Sequence, residues 1–84
     1  MTDEEIRLEV FAIIAEKIWG CEEITEEMDM YNDVGADSLD FTDIVMTCES
    51  NLGITIDNDE AMGITTVGAL VKLCTEKVHE LQGM

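Results

Sequence analysis

A serine placed between two aspartates is the residue of this sequence best suited to covalent chemistry. It lies in the segment Asp33-Val-Gly-Ala-Asp-Ser-Leu-Asp40, which combines a turn with the start of a helix. Gly35 gives the backbone the freedom that the turn needs, and Asp37 is a favoured N-cap, so the hydroxyl of Ser38 is not needed for capping. Unpaired amide hydrogens and the positive end of the helix dipole lie near such a hydroxyl. The segment therefore favours a covalently attached phosphate on Ser38.

This segment resembles the attachment site of acyl carrier proteins, whose pattern is Asp-Leu-Gly-Ala-Asp-Ser-Leu-Asp, and Val34 is its one departure. The resemblance extends from about Ile6 to about Val78, and Ile56–Val67 is similar to the third-helix region of that family. It implies that Ser38 carries 4′-phosphopantetheine, added from coenzyme A by a phosphopantetheinyl transferase. It also implies that the thiol of this arm holds acyl groups as thioesters while partner enzymes supply the catalytic side chains. The expected function is a non-catalytic carrier in fatty acid or related, polyketide-like biosynthesis.

Size and charge narrow the classes of function. The 84 residues are expected to form one domain, 1–84, which has no room for a large catalytic fold. The net charge is −16, and the basic residues lie towards the two ends of the sequence: Arg7, Lys17, Lys72 and Lys77. Such a field repels nucleic acid and anionic membranes and steers a protein towards basic surfaces. We therefore expect a monomer with basic protein partners and with no nucleic acid or membrane partner, although on charge alone the acidity could serve only solubility.

The cysteines indicate a reducing compartment. Cys21, Cys48 and Cys74 are odd in number and widely spaced, which fits neither a disulfide framework nor a metal-binding Cys-x-x-Cys pair. Cys48 and Cys74 fall on apolar helical stripes and are predicted to be buried, whereas Cys21 falls in a loop. The sequence shows no basic-then-apolar leader and no membrane-spanning run. We expect a cytoplasmic protein with reduced thiols and no metal site.

Helical periodicity predicts an all-α fold, a small four-helix bundle with three longer helices, one short third helix and a long first loop. The first helix begins at the capping box Thr2–Glu5 and extends to Gly20, before a loop over residues 21–37. The second helix is predicted from Ser38 to about Leu52, with its end at Gly53.

The remaining helices are predicted from residue 59 onwards. A short helix is expected near Asp59–Met62, and Ile64–Thr66 opens the last helix. Gly68 in its first turn indicates close packing there. The inward stripe of the second helix is expected to be Phe41, Ile44, Val45, Cys48 and Leu52. One face of the last helix is expected to contain Val67, Leu70, Val71, Cys74, Val78 and Leu81.

A second face of the predicted second helix carries exposed apolar side chains among carboxylates. Leu39, Thr42 and Met46 have the spacing i, i+3 and i+7 and share a face that differs from the inward stripe. The alternative is that these apolar residues are isolated and without a role. The resemblance favours a docking face, because acyl carrier proteins use matching positions to meet transferases, acyltransferases and ketosynthases. The expected partner-binding residues are Asp37, Leu39, Asp40, Thr42, Asp43, Met46, Glu49, Glu60 and Met62.

Three other classes of protein share part of this pattern. Ala36–Leu39 approaches the Gly-Asp-Ser-Leu motif of an esterase family, and Glu76–His79 imitates its Asp-x-x-His, but that chemistry needs a far larger α/β scaffold. Calcium-binding loops starting at Asp29 or Asp57 lack the required glycine and bidentate glutamate. An acidic helical interaction protein without a prosthetic group would not need the serine. The last two classes remain the alternatives to a carrier.

Several positions depart from the family pattern. Phe41 stands where a small residue is usual, close to the root of the arm and to the acyl pocket, and its bulk opposes the sequestration of long chains. Cys48 replaces a larger core residue and returns volume, so the sequence leaves the size of the pocket open. Met30 replaces an aromatic residue, which predicts a weaker anchor for the first loop, and Met62 with Gly63 makes the third helix less polar. These departures predict a discrete carrier that serves a dedicated pathway.

Overall fold

Four helices account for most of the chain. The computed structural model describes residues 1–18, 20 and 23–83. Within these residues the helices are α1 (Asp3–Lys17), α2 (Ser38–Leu52), α3 (Asn58–Met62) and α4 (Val67–Gln82), without a β-strand. Helix α1 packs against both α2 and α4, which also contact each other. The predicted all-α bundle with a short third helix is therefore confirmed, and Cys21 lies outside the described residues.

The start of α1 matches its sequence signal, but its end does not. Thr2 accepts a hydrogen bond on Oγ1 from the Glu5 amide at 3.2 Å, and the Glu5 carboxylate accepts one from the Thr2 amide at 2.8 Å. The helix ends at Lys17, and Ile18 has extended backbone with φ −109°. The prediction that α1 extends to Gly20 is therefore wrong, because the buried Ile18 leaves the helical path while it still packs in the core.

The predicted bounds of α2 are confirmed at both ends. Asp37 caps the first turn, and Gly53 ends the helix in the left-handed region with φ 67°. Both signals act locally, within one helical turn, so tertiary packing does not override them. The short third helix begins one residue earlier than predicted, at Asn58.

The last turn of α4 lies outside the core. Val78 is the final buried residue of this helix, and Leu81 is 52% exposed. His79 contacts Asp3, at the first residue of α1, so the residues after His79 extend beyond the end of the neighbouring helix. Leu81, on the apolar face predicted for this helix, therefore lies beyond the buried part of that face and lines an open pocket with Gly53, Ile54 and Thr55.

The core is almost wholly aliphatic. Among the described residues no polar or charged side chain is buried. The largest fully buried side chains come from α1, α2, α4 and the first loop. They include Ile6, Ile13, Ile14, Met30, Ile44 and Leu70. Cys48 and Cys74 are wholly buried, as their positions on the apolar stripes predict. Leu52, at the end of the predicted stripe, is only partly buried.

The first loop is fixed to the start of α4. The Met30 amide donates to the Thr65 carbonyl at 2.8 Å, and the Gly68 amide donates to the Glu26 carbonyl at 2.8 Å. A Cβ at position 68 would lie 3.0 Å from that same Glu26 oxygen, so the close packing predicted at Gly68 is confirmed. Met30 is wholly buried, and the Tyr31 ring lies 5.8 Å from that of Phe41. The loop thus makes an aromatic contact through Tyr31, one residue after Met30, which replaces an aromatic residue.

The length and polarity of the helices bear on membrane insertion. In residues 1–18, 20 and 23–83, no helix is both long enough and apolar enough to span a bilayer.

Candidate functional site

The turn that precedes α2 is fixed by its own aspartates. The Asp29 carboxylate accepts hydrogen bonds from the Tyr31 and Asn32 amides at 2.9 and 2.8 Å. The Asp33 carboxylate accepts one from the Asp29 amide at 2.8 Å. Gly35 then adopts φ 87°, a left-handed conformation that favours glycine. These bonds hold the backbone that leads directly to Ser38.

The same bonds bear on the calcium-sensor alternative. Asp29 and Asp33, which would have to ligate calcium, bond to backbone amides of their own loop. Across the part of the chain that the structure describes, no three His, Cys, Asp or Glu side chains are grouped so that they could hold a metal ion.

Ser38 begins α2 with its hydroxyl exposed. Asp37 accepts a hydrogen bond from the Asp40 amide at 2.8 Å, and Asp40 accepts one from the Asp37 amide at 3.3 Å. This reciprocal capping box leaves the Ser38 side chain without a capping role, and no hydrogen bond to its hydroxyl occurs within the described residues. Only its carbonyl is engaged, by the Thr42 hydroxyl at 2.9 Å. A hydroxyl so placed can react with an incoming phosphoryl donor at the positive end of a 15-residue helix.

Three large apolar side chains are exposed on α2 and α3. Leu39 is 81% exposed, Met46 is 61% exposed and Met62 is 82% exposed. Leu39 directly follows Ser38, and Met46 lies two turns further along the same helix. We call these three residues, with the carboxylates of α2 and α3 predicted above, the α2–α3 face.

The carboxylates of the α2–α3 face have partners within the protein that the sequence did not reveal. Asp43 lies 3.2 Å from the Lys17 ammonium of α1, and Glu60 lies 2.9 Å from the Lys77 ammonium of α4. The hydrogen bond with Lys77, and then the Asp57 amide, lower the pKa of Glu60. The same pair raises the pKa of Lys77. Two of the few cations of this protein therefore offset charge on the face expected to meet basic partners.

Glu49 has a different role from the ion-paired carboxylates. Its Oε2 atom accepts a hydrogen bond from the Ile56 amide at 2.9 Å, seven residues further along the chain. The side chain is partly buried and lies beside a pocket. Glu49 thus connects α2 to the segment that leads into α3.

The pocket beside Glu49 lies between α2 and α3 and has a volume of about 190 Å³. Its walls are side chains of α2 between Phe41 and Glu49, Ile56 of the connecting segment, and Asn58 and Ala61 of α3. Phe41 is 7% exposed, so its ring occupies the interior side of this space. The sequence marked Phe41 as a bulky residue near such a pocket, but it could not give the volume.

The buried thiols and the lone histidine lie outside this site. A hydrogen bond with the Cys74 thiol, and then burial, raise the pKa of Cys48, so this thiol stays neutral. His79 lies 2.6 Å from Asp3 on α1 and is exposed, and no hydrogen bond joins it to Ser38. The described geometry therefore provides no general base for Ser38, in keeping with a residue that another protein modifies.

Comparison with known sequences identifies the family. The profile of the family described as "phosphopantetheine attachment site" matches residues 9–74. An acyl carrier protein of Thermotoga maritima is 43% identical over 77 residues, which span 89% of this chain and 94% of that protein. An acyl carrier protein of Exiguobacterium sibiricum is 41% identical over 80 residues, which span 93% of this chain and 100% of that protein.

Solved structures agree with the sequence comparison. The crystal structure of an acyl carrier protein from Thermotoga maritima superposes with a TM-score of 0.81 at 26% identity, covering 94% of this chain and 93% of that one. The solution structure of the acetyl actinorhodin acyl carrier protein from Streptomyces coelicolor shares the fold, with a TM-score of 0.70 at 21% identity, covering 96% of this chain and 94% of that one. Given the residues matched and the shared four-helix fold, this chain belongs to the acyl carrier protein family, whose members carry acyl groups on a 4′-phosphopantetheine arm and are not themselves enzymes.

Proposed function

We propose that Ser38 is the residue that bears the 4′-phosphopantetheine arm. The observation that carries this proposal is an exposed hydroxyl at the start of α2, freed from capping by the Asp37–Asp40 pair. Family membership implies a phosphopantetheinyl transferase as a partner. In the loading step the hydroxyl oxygen forms a bond to phosphorus, its proton leaves, and the bond from phosphorus to the nucleotide part of coenzyme A breaks. The arm then supplies a terminal thiol on which acyl groups are held as thioesters.

The residues around Ser38 fit a phosphodiester. The first turn of a helix offers amide hydrogens and a positive dipole end to the phosphate. The capping box occupies the Asp40 amide, but it leaves the hydroxyl directed to solvent, where a transferase can reach it. The turn around Gly35 is fixed by Asp29 and Asp33 and therefore presents the serine in one orientation.

We further propose that the α2–α3 face is where partners dock. Acyl-processing enzymes are implied by the family, and transferases, acyltransferases and ketosynthases with basic patches suit a face rich in carboxylates. Leu39, Met46 and Met62 provide exposed apolar contacts for the centre of such an interface. Docking must be reversible so that one carrier can serve several enzymes, and a small interface of this kind gives modest affinity.

The pocket between α2 and α3 favours short acyl groups as cargo. Its volume of about 190 Å³ is close to the roughly 150 Å³ of an apolar cavity that holds a benzene molecule. A chain of a few carbons fits such a space, whereas a long fatty acyl chain would have to displace Phe41 or extend into solvent. This preference agrees with a carrier that serves a dedicated pathway.

Mass spectrometry of the intact protein tests the attachment site. After incubation with a phosphopantetheinyl transferase and coenzyme A, the wild-type mass should increase by about 340 Da, the size expected for the covalent arm. Ser38→Ala should show no increase and should keep the helical circular dichroism spectrum. Ser50→Ala is the matched control, because Ser50 is also an exposed serine of α2, and it should be modified like the wild type. A mass increase in Ser38→Ala would remove Ser38 from this role.

A series of acyl chains tests the cargo. The arm would be loaded with butyryl, octanoyl and palmitoyl groups, and cleavage of the thioester by hydroxylamine, which forms the acyl hydroxamate and frees the thiol, would be followed over time. Only the short chains should be protected, and Phe41→Thr should extend protection to longer ones because it enlarges the pocket. Equal protection of all three chains in the wild type would contradict the preference for short cargo.

A further inference from the structure

The methionines of this protein differ in how much solvent reaches them. Met46 of α2 is 61% exposed and Met62 of α3 is 82% exposed, whereas Met30 of the first loop is wholly buried. Met28 is partly buried, and its sulfur accepts a hydrogen bond from the Thr25 amide at 3.2 Å. Within the described residues no hydrogen bond engages the sulfur of Met46 or Met62. The two methionines of the α2–α3 face are therefore open to small reagents in solution.

The chemistry that suits an exposed thioether is oxidation to the sulfoxide. With hydrogen peroxide, a lone pair of the sulfur attacks one peroxide oxygen, an S–O bond forms and the O–O bond breaks. The proton of the first oxygen moves to the second, which leaves as water, so the sulfur loses two electrons and the peroxide gains them. Hydrogen peroxide is uncharged, so the net charge of −16 does not repel it as it repels anions. Exposure therefore decides which methionines react, and Met46 and Met62 should react before Met28 and Met30.

A sulfoxide at these two positions changes the α2–α3 face and leaves the core as it is. Oxidation converts a flexible apolar side chain into a polar one. Leu39, Met46 and Met62 are the large apolar side chains of this face, and after oxidation only Leu39 of the three remains apolar. Neither methionine belongs to the buried core or to the partly buried residues packed against it. Oxidation here should therefore weaken contacts with a partner while the fold is kept.

The exposure that lets peroxide reach these side chains also lets a repair enzyme reach them. Methionine sulfoxide reductases reverse the oxidation: two thiols of the enzyme form a disulfide, and the sulfoxide oxygen leaves as water. Such an enzyme must take the side chain into its own active site, which suits Met46 and Met62 at the surface. Met30 has no exposed surface to offer it. Oxidation of the α2–α3 face is therefore reversible without unfolding of the protein.

We propose that Met46 and Met62 are modification sites at which hydrogen peroxide reversibly weakens docking at the α2–α3 face. The inference rests on the proposed docking of partners at this face and adds a means of regulating it. The carboxylates of the face keep their charge, so attraction to a basic partner persists while the apolar contacts of the bound complex are lost. Oxidation should therefore speed dissociation of a partner and leave its association rate almost unchanged.

Peptide mass spectrometry of the unmodified protein tests which methionines react. The protein would be treated with hydrogen peroxide, and dithiothreitol would then reverse any oxidation of thiols while it leaves sulfoxides in place. Each sulfoxide adds about 16 Da, the mass of one oxygen. Met46 and Met62 should gain this mass several times faster than Met28 and Met30. Equal rates at Met30 and Met62 would overturn the assignment, because exposure would then not decide the reaction.

Stopped-flow kinetics with a phosphopantetheinyl transferase, after removal of the peroxide, test the effect on docking. Oxidation of the wild type should raise the dissociation rate about five- to tenfold, the loss expected when apolar contacts at the centre of an interface are replaced. The association rate should stay within about twofold of its starting value. A methionine sulfoxide reductase should restore the original dissociation rate. Circular dichroism should show the same helical spectrum before and after oxidation.

The matched control is the double variant Met46→Leu with Met62→Leu, which keeps two apolar side chains on the face but has no thioether there. It retains Met1, which is 50% exposed and lies before α1, so peroxide still has a methionine to oxidise outside the face. Its dissociation rate should not respond to peroxide. An equal response in the double variant, or an unchanged rate in wild type oxidised at both positions, would overturn the proposal. Loading of Ser38 and the effect of Asp43→Lys are measured without peroxide, so failure here is distinct from failure of the proposed function.

Discussion

The two halves of this protein, α1 with α4 and α2 with α3, differ in their charges and in their most exposed apolar side chains. Helices α1 and α4 contain all four basic residues and much of the buried aliphatic core. Helices α2 and α3 contain no basic residue and present Leu39, Met46 and Met62 to solvent. Lys17 of α1 pairs with Asp43, and Lys77 of α4 pairs with Glu60. Neither lysine belongs to the α2–α3 face. The difference supports the proposal that partners dock on α2 and α3, with α1 and α4 as the scaffold.

The largest expected effect comes from truncating an apolar residue in each half. Ile14→Ala in α1 should lower the free energy of unfolding by about 2–5 kcal/mol, because it leaves a cavity in a wholly buried site. Leu39→Ala in α2 should change it by no more than about 0.5 kcal/mol, because that side chain is already in solvent. Urea denaturation measures both values. The proposed difference between the halves would be contradicted if Leu39→Ala destabilised the fold as much as Ile14→Ala. It would also be contradicted if Leu39→Ala left the rate of modification by the transferase unchanged.

A charge reversal in each half gives the next largest effect. Asp43→Lys should slow association with a phosphopantetheinyl transferase by about tenfold at low salt and should flatten its salt dependence, because it reverses charge on the α2–α3 face. Glu76→Lys makes the same change of charge at an exposed site of α4 and should have little effect. Stopped-flow association rates over a range of salt concentrations distinguish the two. Equal slowing in both variants would mean that net charge, and not the position of the charge, steers the partner.

Two glycine substitutions examine the junction between the scaffold and the first loop. Gly68→Ala should destabilise the fold by about 1 kcal/mol, because the new methyl group would meet the Glu26 carbonyl at 3.0 Å and displace the hydrogen bond it accepts, which exceeds the gain in helix propensity. Gly63→Ala is the control, since its nearest contact would be 3.6 Å away, and it should be close to neutral. Thermal unfolding compares the two variants. A more stable Gly68→Ala protein would show that the loop can move aside at no cost.

The smallest expected effect concerns pH and the Lys77–Glu60 ion pair, one of the two that join the halves. The pKa of Glu60 is lowered from its ordinary value of 4.5 by the hydrogen bond with Lys77 and by the Asp57 amide. A carboxyl whose pKa is lower in the folded state stabilises the fold fully above the unfolded value, and this contribution is lost as pH falls through the folded value. Glu60→Gln should therefore make the decline in melting temperature below about pH 4.5 shallower than in the wild type. Glu23→Gln, at an exposed loop position, should leave the decline in melting temperature as it is in the wild type. Equal slopes for Glu60→Gln and the wild type would contradict the expected linkage.

Features that depend on neighbouring residues were predictable from the sequence, and those that depend on distant ones were not. Asp37 and Gly53 fixed the ends of α2 because capping acts within one turn. The end of α1 depends on how Ile18 packs in the core, and the exposure of Leu81 depends on what packs beside the last turn of α4; no local pattern encodes either. The partners of Asp43, Glu49 and Glu60 could not be predicted either, because Lys17, the Ile56 amide and Lys77 approach them only after the helices pack.

The bonds between the first loop and residues Thr65–Gly68 have a consequence for how the protein matures. The Met30 amide bonds to Thr65, the Val67 amide to Met28, and the Gly68 amide to Glu26, so the segment before Ser38 is anchored by residues synthesised after it. A nascent chain that has emerged only as far as Gly63 lacks every one of these anchors. Loading by the transferase should therefore wait until translation has released the final helix, and a ribosome-bound chain stalled at that point should gain no arm. Efficient loading of such a stalled chain would show that the serine turn forms without the anchors.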